Sequence, residues 1–229
     1  MSDETTPHHL TTCIREAIAE AADASKAGAM QAYMKSALPY RGVMSKPLDQ
    51  INKSHFKAHP LNNFTELDRV VRELWDAEYR EEQYSAVAAC MYYKKFQTVE
   101  ALPLYRFLIR TGAWWDFVDA IASHLVGKLL KTYPDQVKPI MWQWIDDSDT
   151  WIRRTALLSQ LSFKKDTDEA MLFEFCRKRM HEKDFWIRKA IGWVLREYSK
   201  TNKDAVRQFV EENREKMSGL SLREASKYI

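Results

Sequence analysis

The segment Asp149-Thr150-Trp151-Ile152-Arg153-Arg154 returns as Asp184-Phe185-Trp186-Ile187-Arg188-Lys189, displaced by 35 residues. A self-similar period of this length is too short for a domain and too long for one helix; it belongs to chains built from stacked helix pairs. Subtracting the same interval from Arg154 lands on Asp119, and subtracting it again lands on Tyr84, each at the start of a small-and-apolar segment. Four units therefore share one register through Tyr84, Asp119, Arg154 and Lys189. A unit of this kind cannot bury its apolar stripe alone, so neighbouring units must stack. The expected fold is all-α, a HEAT-like repeat α-solenoid: a superhelix whose second helices line a concave groove. It is expected to occupy residues 1–229 as a single domain.

Local signals agree with helices throughout. Six glycines and seven prolines are few for 229 residues, and Ala, Leu, Glu, Lys, Arg and Met are strong helix formers. Ile14, Ile18, Ala21 and Ala22 form one stripe and Met30, Tyr33, Met34 and Ala37 a second, predicting two helices between Thr11 and Ala37. Pro39 to Pro47 reads as a connector, because Leu38 precedes a proline and Gly42 permits a turn. Pro60 and Asn62-Asn63 end the next helix, and Thr65 with Asp68 opens another with capping spacing.

Charge is uneven along the chain. Residues 150–229 hold 18 basic and 12 acidic side chains, against 17 and 20 in residues 1–149, so basicity gathers toward the C-terminal part, as a polyanion-binding face requires. Cys13, Cys90 and Cys176 are isolated and odd in number, with no CxxC; neither a disulfide framework nor a metal site is expected, and a reducing cytoplasm fits. The start MSDETTPHHL lacks a basic region followed by an apolar one. No stretch reaches the roughly 18 apolar residues of a membrane span. A cytoplasmic monomer without cofactor, membrane or obligate protein partner is the expectation.

The shared register also collects chemistry. Trp115 precedes Asp119 by four residues and Trp193 follows Lys189 by four, so each indole sits one turn from a register position on the same helix face. Cations can hold phosphate, indoles can hold a flat or cationic body, and a carboxylate can stabilise developing positive charge. Each residue also has a plainer use: tryptophans fill cores, Asp119 can pair with an arginine of the next repeat, and Arg153 and Arg188 can be solvated or inter-repeat charges. On these residues alone, a protein-binding solenoid stands beside a nucleic-acid-binding one.

The segments AYMK over 32–35, RELW over 72–75, WWDFVD over 114–119, WIRRTA over 151–156 and RKAIGWVLREY over 188–198 resemble, in type and order, the AlkD-like DNA alkylation repair glycosylases. The resemblance runs from about residue 28 to the C-terminus; the stretch 1–27 is a poorly matched helical extension. It implies hydrolysis of the N-glycosidic bond of N3- or N7-alkylated purines in double-stranded DNA. Position by position, it implies catalytic Asp119, Trp115 and Trp193, and DNA-binding Arg154 and Tyr33, with Arg154 clamping a phosphate; Lys189, from the shared register, is expected to bind DNA beside them. It further implies association with the nucleoid if the source is bacterial. The alternative is a non-catalytic HEAT-like module for damaged or branched DNA or a protein partner.

Overall fold

The computed structural model describes residues 8–229; residues 1–7, most of the MSDETTPHHL start, lie outside the described part. All regular structure among the described residues is helical. No described helix is long and apolar enough to cross a membrane. The chain divides into two compact units, Met1–Ala101 and Leu102–Ile229. Helix-repeat chains lend themselves to such division, because each repeat packs on its immediate neighbours.

The first unit contains α1 (His9–Glu20), α2 (Ala24–Met34), α3 (Ser45–Ala58), α4 (Phe64–Trp75) and α5 (Arg80–Tyr92). α1 packs on α3, α4 and α5, and α4 pairs with α5. The first predicted stripe is half right: Ile14 and Ile18 are wholly buried, whereas Ala21 and Ala22 lie beyond the end of α1. The connector is shorter than predicted, because α3 begins at Ser45; Pro47 is accommodated in its first turn, where a missing N–H breaks no helical bond. The connector is held from below by Glu81, itself wholly buried, which accepts from the backbone N–H of Arg41 (3.1 Å), Gly42 (2.9 Å) and Val43 (3.1 Å). Gly42 has φ +86°, and a Cβ there would lie 2.0 Å from the Asp23 carbonyl oxygen, so only glycine fits. The cap of α4 falls two residues before the predicted Thr65: the Asn63 side chain accepts from Glu66 N, and Glu66 accepts from Asn62 N. That reciprocal bonding is a capping box displaced by one residue at its return arm.

The second unit contains α6 (Leu102–Gly112), α7 (Trp115–Ala120), α8 (Gly127–Thr132), α9 (Pro134–Trp144), α10 (Thr150–Leu158), α11 (Glu169–Arg179), α12 (Phe185–Ser199), α13 (Lys203–Asn213) and α14 (Gly219–Ala225). A π-helical segment, Ile121–Val126, joins α7 to α8. The repeat motif is now legible as structure. Asp149 caps α10 by accepting from Trp151 N and Ile152 N, and Asp184 caps α12 by accepting from Trp186 N and Ile187 N. Each cap satisfies amides that the first turn leaves without partners. The isoleucine that follows, Ile152 or Ile187, is wholly buried, and α10 packs on α12. The motif thus recurs because each turn needs a cap, a ring beside it and an aliphatic anchor. Close approaches complete the packing: a Cβ on Gly127 would meet the Ser159 carbonyl oxygen at 2.5 Å, and one on Gly192 would meet Glu224 Cβ at 2.5 Å.

Candidate active site

Asp119 sits near the end of α7, and Arg154 sits in the second turn of α10. One repeat apart in sequence, they meet in a two-pronged pair: Arg154 Nε donates to Asp119 Oδ1 at 2.7 Å and Nη2 donates to Oδ2 at 2.8 Å. The third prong, Nη1, donates to the Trp186 carbonyl oxygen at the start of α12. Arg154 is 2% exposed, and the Asp119 side chain is 16% exposed. The parallel geometry suits a guanidinium facing an ionised carboxylate. Burial pushes the Asp119 carboxyl above its ordinary value, Arg154 pulls it back, and the nearby Asp116 charge adds a smaller upward push.

Local structure sets the aim of this carboxylate. Trp114 caps α7 in extended conformation, and directly after Ala120 the backbone enters the π segment. Ser123 Oγ donates to the Asp119 carbonyl oxygen at 2.7 Å, within that segment. Single π turns interrupt α-helices at functional positions more than elsewhere.

Three indoles gather beside the pair. The rings of Trp114 and Trp186 stand 5.3 Å apart in a T-shaped contact, Trp151 and Trp186 5.4 Å apart, and Trp114 and Trp151 6.2 Å apart. The Arg154 guanidinium carbon lies 5.6 Å from the Trp186 ring centroid, in cation–π range. Sequence reasoning selected other tryptophans. Trp115 and Trp193 are half-buried on α7 and α12, one turn from Asp119 and Lys189 respectively. The missed ones carried a signal in two of three cases, since Trp151 and Trp186 occupy the same place in the repeat. Trp114 does not share that place.

Arg154 and Lys189, both expected to contact DNA, are engaged within the protein. Arg154 commits donors on all three nitrogens to Asp119 and Trp186 and presents almost no surface. Lys189 Nζ donates to Glu224 Oε1 at 2.9 Å, with its side chain 37% exposed. Glu224, on α14, lies 35 residues beyond Lys189, so the register runs one step further than predicted. Glu224 also accepts from Arg196 and Lys227, and these bonds, Lys189 first and then Lys227, hold its carboxyl at about 2.

Tyr33 and Tyr84 belong to the first unit. Tyr33 is 77% exposed and lines, with Met30, Met34, Tyr40, Leu48 and Tyr84, a cavity of about 420 Å³. The Tyr84 and Tyr40 hydroxyls are hydrogen-bonded at 2.7 Å. Each register position has a partner within its own unit: Asp119 pairs with Arg154, Lys189 with Glu224, and Tyr84 with Tyr40.

Comparison with known proteins places the chain in a family. The model of the DNA alkylation repair enzyme family matches residues 14–229, which takes in most of the N-terminal stretch that the motif resemblance leaves out. A predicted DNA alkylation repair enzyme from Enterococcus faecalis superimposes with a TM-score of 0.84 at 28% identity, covering 91% of this chain and 96% of that one. Two Streptococcus mutans structures share the fold: smu.31 from strain UA159 at 18% identity and TM-score 0.63, covering 80% of this chain and 92% of that one, and AlkD2 at 19% identity and TM-score 0.60, covering 80% and 89%. Among the curated proteins none matches. With a match over 14–229, an all-α helical-repeat fold and a buried carboxylate–guanidinium pair one repeat apart, the chain belongs to the DNA alkylation repair enzyme family.

Proposed function

We propose that the protein is a monofunctional DNA glycosylase that releases cationic N3- and N7-alkylated purines from duplex DNA, with Asp119 at the reacting sugar. The observation that carries this reading is the Asp119–Arg154 pair. A carboxylate 16% exposed and gripped on both oxygens by a guanidinium is pre-oriented while keeping some access to solvent. Such a group stabilises positive charge that develops in the transition state at little reorganisation cost.

The chemistry asks for little else. Alkylation at N3 or N7 gives the purine a positive charge, so the bond from N9 to C1′ breaks with its electron pair leaving on the base, which departs neutral. Positive charge then moves to the deoxyribose as an oxocarbenium-like centre. Asp119 stabilises that centre and orients a water, whose oxygen bonds to C1′ and whose proton passes to solvent. Trp115 and Trp193 pack against sugar and backbone. Phosphate contacts fall to exposed cations such as Lys164 and Lys165, with Lys189 contributing once released from Glu224, and binding then weakens steeply with salt.

On this reading selectivity comes from the lability of the lesion. Purified protein incubated with randomly methylated DNA is expected to release N3-methyladenine and N7-methylguanine as free bases. DNA carrying hypoxanthine, neutral and chemically stable, is expected to remain intact under the same conditions. Equal release of hypoxanthine overturns the mechanism, and binding with no base release at all favours the non-catalytic module.

A further inference from the structure

The first unit gathers a second chemical cluster, against the sequence expectation of no metal site. His9 and Cys13 lie one turn apart on α1, and His59 caps the C-terminal end of α3. One ligand atom from each of the three comes within 4.8 Å of the others. Cys13 Sγ stands 3.6 Å from His9 Nε2. Around a tetrahedral zinc ion, with bonds of about 2.0–2.1 Å to nitrogen and about 2.3 Å to sulfur, neighbouring ligand atoms are separated by roughly 3.3–3.7 Å. The Cys13–His9 pair already has that separation, and side-chain rotation closing roughly 1 Å brings His59 to it.

The orientation of His59 supports the same conclusion. Its Nδ1 lies 2.9 Å from the His55 carbonyl oxygen, and a carbonyl only accepts, so Nδ1 carries the proton and Nε2 keeps its lone pair. A ligating histidine is ordinarily braced this way, its other nitrogen donating to a backbone carbonyl. The His59 ring meets the His9 ring edge-on at 5.1 Å and stacks on the His55 ring at 6.1 Å. His9 is exposed and Cys13 and His59 are half-buried, so an ion has a path in.

We propose that His9, Cys13 and His59 bind one zinc-class divalent ion, tying α1 to the end of α3, with the fourth position filled by water. Thiolate and imidazole donors select borderline-soft ions over magnesium or calcium. Binding replaces the thiol proton, which goes to solvent, and joins two helices that already pack together.

The test uses the full-length protein, reduced and stripped with a chelator, with cobalt(II) as probe. A saturable one-to-one titration is expected, with a thiolate-to-cobalt band in the near ultraviolet and tetrahedral d–d bands, all displaced by zinc. His59→Gln and His9→Gln are expected to weaken binding by about tenfold or more, and Cys13→Ser to remove the near-ultraviolet band. Alkylation gives a second readout, because Cys90 and Cys176 are wholly buried and Cys13 alone reports. Zinc is expected to slow alkylation of Cys13 by about tenfold in the parent and much less in His59→Gln. Absence of the cobalt bands at equimolar metal, or equal zinc protection in parent and His59→Gln, overturns the proposal.

Discussion

Asp119–Arg154 and Lys189–Glu224 are two rungs of one ladder. Each spans 35 residues, each joins consecutive repeats, and the acid comes first in one and last in the other. Their surroundings separate them. The first rung is nearly closed, with Arg154 2% exposed and donating on three nitrogens; its acid is raised above the ordinary value by burial. In the second rung Lys189 is 37% exposed, and Glu224 is shared among three cations, with its carboxyl held at about 2. The same register therefore yields a carboxylate held by one buried guanidinium in one place and a carboxylate shared among three cations in the other. On the proposed mechanism the first is the one that serves a reacting sugar, since a single guanidinium holds it while the second is shared among three cations.

The largest test of that contrast is catalytic. Asp119→Asn is expected to lower release of methylated purines by about 10²–10³ while leaving duplex binding intact, whereas Glu224→Gln leaves release unchanged. Base chromatography and a fluorescence binding assay, run on both variants, read the two effects. Unchanged release in Asp119→Asn ends the catalytic assignment.

Stability should separate the rungs next. Arg154→Met strands a buried carboxylate and is expected to cost about 3–5 kcal/mol in urea denaturation. Lys189→Met removes a 37% exposed cation and leaves Glu224 its other two partners, and is expected to cost at most about 1 kcal/mol. Similar costs for both would mean that burial does not distinguish them.

The finest test is the acid limb of the pH profile. The working form of Asp119 is ionised, so activity is lost as pH falls through its folded value, which burial places above that of a free aspartate. Arg154 opposes the rise, so Arg154→Gln should move the acid limb to still higher pH. A limb that stays put would show that another group titrates.

The helical fold and the pairing interval were readable from the chain, because a repeat motif records what every unit needs: the Asp149 and Asp184 caps, then the buried Ile152 and Ile187. Asp119 and Arg154 were picked out by that interval. Their joining is one of the plainer uses the sequence leaves open to Asp119; the two-pronged geometry and the third bond to the Trp186 carbonyl are not, since periodicity gives position along the stack but not which groups a buried guanidinium reaches. Trp114 escaped for a related reason: it enters the indole cluster from a cap position outside the repeat. His59 meets His9 and Cys13 across 46 residues at the nearer end, and no short motif spans such a distance. The His9–Cys13 half stands at one-turn spacing in the sequence, but two donors on one helix do not announce a third.

The π segment Ile121–Val126 makes the bearing of the key carboxylate depend on a single surplus residue. An α-helix advances about 100° per residue, so losing one codon within 121–126 would restore ordinary winding and swing Asp119 by about that angle relative to α8. Such a shortened chain could still form its helices and yet be silent toward damaged DNA.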